Sequence, residues 1–131
     1  MNQALGKIVA EQIMECRDRE FYKLHAFVIM PDHLHVLLTP GETTTLEKAM
    51  QMIKGGSSHR MGQDRPHPFP IWHAGFHDRW IRNAKEYREC KLYIEQNPVV
   101  AKMVERAASY ALSSASGHYR LDPSTFDRDR G

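Results

Sequence analysis

Phe21-Tyr22-Lys23-Leu24-His25-Ala26-Phe27-Val28-Ile29-Met30, then Pro31-Asp32, then His33-Leu34-His35-Val36-Leu37-Leu38-Thr39: the fold is decided in this stretch. The first run is rich in aromatic and β-branched residues, which suit a half-buried pleated surface, and it ends at a proline. Residues 21–30 are therefore expected to form a strand. Pro31-Asp32 is short enough for a tight connection. Residues 33–39 read as a second strand, stopped by Pro40-Gly41. Two strands this close in sequence are expected to pair as a hairpin.

On the N-terminal side, Leu5, Ile8, Val9, Ile13 and Cys16 recur at helical spacing, so residues 4–19 read as an amphipathic helix. On the C-terminal side, Thr44-x-x-Glu47 is a capping-box pattern, followed by the apolar stripe Leu46, Ala49, Met50 and Ile53. That helix is expected to continue through Gly55-Gly56, although each glycine weakens it by roughly 1 kcal/mol. Gly62, Pro66, Pro68 and Pro70 make 62–70 a loop. Residues 71–82 read as a strand with Trp72, Ala74, Phe76 and Trp80 on one side. Asn83-x-x-Glu86 opens a helix expected to stop at Asn97-Pro98. A further helix is expected at about 99–112, and the Ser-, Asp- and Arg-containing residues 113–131 as a flexible tail. The order is that of an α+β, ferredoxin-like antiparallel sheet with helices on one face and the first strand missing. Residues 1–112 then form one domain.

Composition bounds the function. The chain has 131 residues, 41% of them apolar and 26% charged, so it suits one globular domain. Its net charge of +2 excludes a strongly basic, DNA-coating protein. No apolar run approaches the roughly 18 residues of a membrane span, and the N-terminus lacks a signal-peptide profile. Cys16 and Cys90 show no CxxC spacing, as expected of a reduced, cytoplasmic protein with no membrane partner. Local counting is more informative. Residues 54–91 hold eight Lys or Arg against four acids, so this segment carries +4 and the remainder −2. A local positive field of this kind attracts phosphates, and a solvated face with chance imbalance is the plainer alternative.

Two motifs carry chemistry. On a strand, His33 and His35 project from the same face while Leu34, Val36 and Leu38 turn to the core. Paired imidazoles on a rigid strand are natural metal ligands, although a polar strand face would look alike. On a helix, Tyr93 and Asn97 lie four residues apart and share a face, whereas Tyr87, Cys90 and Ile94 mark the core stripe. A phenol ionises near pH ~10, roughly a 4 kcal/mol handicap for a nucleophile at pH 7. A divalent cation would offset that handicap by neutralising charge that develops on a phosphodiester. His33, His35 and the Asn97 oxygen would supply three ligands. Imidazoles favour Mn²⁺ or Zn²⁺, whereas phosphate-bound sites often hold Mg²⁺, so the ion stays open.

The run Phe27-Val28-Ile29-Met30-Pro31-Asp32-His33-Leu34-His35-Val36-Leu37-Leu38 resembles the His-hydrophobic-His strand of the HUH single-tyrosine transposases, the IS200-like group that includes the REP-associated tyrosine transposases. Lys54-Gly55-Gly56-Ser57-Ser58-His59-Arg60, Phe76-His77-Asp78-Arg79-Trp80-Ile81-Arg82 and Tyr93-Ile94-Glu95-Gln96-Asn97-Pro98-Val99 follow the same pattern in order. The resemblance spans roughly residues 4–105. It implies metal-dependent cleavage and rejoining of single-stranded DNA, with hairpin-forming DNA as the partner and a monomer or homodimer as the working form. Tyr93 would be the nucleophile, forming a 5′-phosphotyrosine and releasing a 3′-hydroxyl. His33, His35 and Asn97 would hold Mg²⁺ or Mn²⁺. Family members usually begin with a strand ahead of the first helix, and this sequence starts almost at that helix.

Lys54, His59, Arg60, Arg79, Arg82, Lys85 and Arg88 are the candidates for phosphate contacts, which position DNA without reading its sequence. Trp72, Phe76 and Trp80 suit base stacking or, more commonly, a core. Two other readings compete. One is a non-catalytic nucleic-acid-binding module of the same shape. The other is a zinc-dependent hydrolase using His33 and His35, which a placement of Tyr93 and Asn97 far from both histidines would favour.

Overall fold

The computed structural model describes residues 3–61 and 82–128. Among them, helix α1 (Gln3–Asp18) leads into strands β1 (Tyr22–Ile29) and β2 (Leu34–Pro40), then helices α2 (Leu46–Met61) and α3 (Ala84–Val100). Short 3-10 turns follow at Ala107–Ser109, Ser114–Ser116 and Thr125–Arg128. The loop expected at 62–70 and nearly all of the strand expected at 71–82 lie outside the described residues.

The hairpin forms as expected. β1 and β2 run antiparallel, from Tyr22 opposite Pro40 to Ile29 opposite Leu34. The Met30 N–H donates to the His33 carbonyl at 2.8 Å and closes the Pro31-Asp32 turn. The register shifts at His25, between the pairs Leu24–Leu38 and Ala26–Leu37. This bulge keeps both faces of β1 apolar. Tyr22, Leu24, Phe27 and Ile29 join Val9, Ile13, Ala49, Met50 and Ile53 in one core cluster. Ala26, Val28 and Met30 join Tyr87 and Ile94 in another.

The class is α+β, with the helices divided between the two faces rather than gathered on one. α1 and α2 cover the Leu34–Val36–Leu38 side, and α3 covers the side of Leu37 and the histidines. The physical reason is the continuous apolar run of β1, which leaves no face suited to water.

α1 and α3 each stop in the same way. The Glu20 N–H donates to the Arg17 carbonyl and Phe21 N–H to that of Cys16, with Glu20 at φ 64°. Lys102 N–H donates to Val99 and Met103 N–H to Pro98, with Lys102 at φ 62°. These paired bonds and left-handed residues are Schellman motifs. Pro98 therefore lies inside α3 and does not stop it, contrary to the sequence expectation. It forgoes one hydrogen bond near the end of the helix, where its ring is buried. The second helix expected at 99–112 is replaced by turns and the Ala107–Ser109 3-10 turn.

Within the segment 113–131 expected as a flexible tail, residues 113–122 are packed against the sheet. Ile29 N–H donates to the Leu112 carbonyl at 2.8 Å. Phe27 N–H donates to Ser114 Oγ, which returns a bond to the Phe27 carbonyl. Further along, Leu24 N–H donates to Asp122 Oδ2, and Asp122 N–H to the Leu24 carbonyl. Ser113 and Ser114 are buried, and Tyr119 packs edge-on against Phe27. These groups satisfy the edge of β1 that faces away from β2, which would otherwise stay open.

Candidate functional site

His33 and His35 emerge on the α3 side of the hairpin, 4.8 Å apart between ring centroids and crossed at 78°. Alternation along β2 dictates this, because Leu34, Val36 and Leu38 are spent on the opposite core. His35 is 7% exposed, so the pair is partly roofed. The roof is α3. Asn83 caps that helix, its side chain accepting from the Glu86 N–H at 2.9 Å. The Glu86 carboxylate accepts from the backbone and guanidinium of Arg82.

Buried Tyr87 and Ile94 fix the rotation of α3 about its axis, with Cys90 packed beside them. Tyr93 consequently falls off the core stripe and is 54% exposed. Its ring lies 5.6 Å from that of His35, at 79°. One turn on, Asn97 Oδ1 stands 3.4 Å from His33 Nε2. Because the helix continues through Pro98, Asn97 keeps helical geometry and stays in line with Tyr93.

The two motifs thus meet within one chain, 64 residues apart in sequence at the His33–Asn97 contact. On the outer side of His33, Asp32 Oδ1 approaches Nδ1 at 2.6 Å. Sequence reasoning passed over Asp32. The signal was a carboxylate immediately before the first histidine, inside a tight turn.

Two imidazole rings and an amide oxygen lie together here, a neutral donor set that would leave a cation's charge to be balanced by an anionic ligand such as phosphate. Among the described residues no cluster of three His, Cys, Asp or Glu could hold a metal.

The basic candidates divide. Arg82, Lys85 and Arg88 lie on or just before α3, with Tyr93. Arg82 pairs with Glu86 at 3.0 Å, and Lys85 stands 4.0 Å from Glu89. Lys54, His59 and Arg60 belong to α2, in the layer across the sheet. Arg60 is committed to α1: it donates to Gln12 Oε1 at 2.8 Å and pairs with Glu15, with Glu11 at 3.7 Å. Arg79, Trp72, Phe76 and Trp80 lie outside the described residues. No helix among the described residues is long and apolar enough to cross a membrane.

Residues 1–97 match the family model described as "Transposase IS200 like". The chain is also 31% identical over 112 residues to the REP-associated tyrosine transposase of Escherichia coli (strain K12), covering 81% of this chain and 64% of that protein. It therefore spans just under two thirds of that relative's length. No solved structure matches it.

Proposed function

The chain belongs to the IS200-like transposase family, and on that footing we propose that it cleaves and rejoins single-stranded DNA through a tyrosine-linked intermediate. The observation that carries the reading is the meeting of Tyr93 and Asn97 with His35 and His33 in one chain.

Tyr93 is the nucleophile. Its side chain is half exposed, and its proton passes to water. The Tyr93 oxygen bonds to phosphorus as the bond from phosphorus to the 3′-oxygen breaks. The products are a 5′-phosphotyrosine and a 3′-hydroxyl, and the reverse step rejoins the strand with no outside energy source. His33, His35 and Asn97 would hold Mg²⁺ or Mn²⁺, which supplies charge neutralisation at the phosphate. Arg82, Lys85 and Arg88 would contact phosphates along α3, drawing on the local excess of positive charge. Hairpin-forming DNA is the substrate class that the family suggests. Since all four site residues come from one chain, the reading does not require a second copy.

Remoteness of Tyr93 and Asn97 from the histidines would have favoured the hydrolase alternative, and they lie beside them. The test is incubation of wild type and Tyr93→Phe with single-stranded hairpin oligonucleotides and Mn²⁺. Wild type is expected to give a covalent adduct stable to denaturing electrophoresis; Tyr93→Phe gives none while binding within about threefold, since DNA affinity rests on phosphate contacts. An undiminished adduct in Tyr93→Phe sinks the assignment. DNA binding by wild type without adduct favours the non-catalytic module.

A further inference from the structure

Asp32 lies in the hairpin turn with its side chain 63% exposed, so core packing does not require a carboxylate there. Its Oδ1 nevertheless stands 2.6 Å from His33 Nδ1. A neutral imidazole carries one N–H and a carboxylate only accepts, so this contact keeps the proton on Nδ1. Nε2 is then a lone pair, and it faces Asn97 Oδ1 at 3.4 Å. Two acceptors facing each other are poorly satisfied, and a shared cation relieves them. An Asn97 amide turned the other way would donate to Nε2 and close a hydrogen-bonded chain with no ligand atom left over.

We propose that Asp32 is a positioning residue that holds His33 in its Nδ1–H tautomer and so keeps Nε2 as a metal-ligating lone pair. This rests on reading His33, His35 and Asn97 as the metal-binding set. A carboxylate behind a ligating imidazole orients the ring and makes its other nitrogen more basic. His35 is buried beside the rings of His33 and Tyr93. His33 stands at the half-exposed entrance to β2, where the Asp32 contact orients it.

The test uses the full chain without DNA, Mn²⁺ as the probe, and long-range ¹H–¹⁵N spectra of the His33 ring as a second readout. Metal-free wild type should show the Nδ1–H tautomer. Asp32→Ala should mix the tautomers and raise the Kd for Mn²⁺ about tenfold or more. Asp32→Asn, whose amide oxygen still accepts from Nδ1, should keep the tautomer and a Kd within about threefold of wild type. Unchanged tautomer and Kd in Asp32→Ala overturn the proposal, while loss of Mn²⁺ binding in His33→Ala leaves the metal reading standing. Absence of Mn²⁺ binding in wild type brings down the metal reading and the proposal together, in a different pattern.

Discussion

Asp122 joins three parts of the chain through one side chain. Arg17 donates two bonds to it, at 3.1 and 2.9 Å, and the Leu24 N–H donates a third at 2.9 Å. Partial burial works to raise the pKa of this carboxyl, but the bonds from Arg17 and Leu24 outweigh it and hold the group below its usual range. The folded pKa lies below the unfolded one, so the folded state binds fewer protons through acid pH. The stabilisation is complete above the unfolded value of about 3.9 and is lost as pH falls through the folded value. Thermal melts should therefore show a stability decline on acidification below about pH 4 that Asp122→Asn makes shallower. At neutral pH that substitution should cost about 1–2 kcal/mol, since one oxygen still accepts while the charge is gone. An acid limb identical to wild type would assign the decline to other carboxylates. Beside this residue, His25 spends both ring nitrogens on structure, facing the Asp122 carbonyl and Thr39 Oγ1, each at 2.8 Å.

At the scale of the element, α2 sets two adjacent glycines against each other. A side chain built at Gly55 would meet nothing within 4 Å, whereas one at Gly56 would fall 1.9 Å from Gln12 Nε2. Gln12 uses that nitrogen to donate to the Met52 carbonyl at 3.1 Å, so it crosses α2 at Gly56 and cannot yield freely. Gly55→Ala should stabilise by about 0.5–1 kcal/mol, because the helix loses only unfolded-state freedom there. Gly56→Ala should destabilise by about 1–3 kcal/mol through overpacking. Urea denaturation distinguishes them, and equal signs for the two variants would refute the packing argument.

The glycine pair was legible as a weak point of a helix, but not which member touches α1, since contact across elements leaves no local mark. Helical periodicity located α1, β-branched and aromatic composition between proline stops located the hairpin, and the Asn83 cap located the start of α3, each within a residue or two. Pro98 misled for a physical reason: a proline near the end of a helix forgoes one bond, and the true stop at Lys102 uses a left-handed residue that is not glycine. The meeting of His33 with Asn97 was foreseen as a possibility of chemistry. Its distance depends on how α3 lies across the sheet, which Tyr87 and Ile94 decide by packing.

At the scale of the whole molecule, the described residues form a two-stranded sheet between two helical layers, and such a hairpin is marginal without more support. The support comes from chain that the sequence marked as the end of a helix and as a tail. Tyr110 Oη donates to the Ile29 carbonyl at 2.7 Å, and residues 112, 114 and 122 take up the outward backbone groups of Ile29, Phe27 and Leu24. Tyr110, Leu112 and Ser114 lie two residues apart but make only an isolated bridge to β1, and Asp122 follows eight residues later, so no strand-length run announces them in the sequence. Their removal should expose a strand edge flanked by apolar side chains, which pairs readily with another copy. A chain ending at Ser109 should therefore melt several degrees lower than the full chain and associate with rising concentration in sedimentation velocity. Ser114→Ala isolates one part of the effect. It removes the side-chain partner of both Phe27 backbone groups at a buried position, and should cost about 1–3 kcal/mol while leaving the association state of the full chain unchanged. A shortened chain with the association state and melting temperature of the full chain would mean that the β1 edge is protected by something other than residues 110–122.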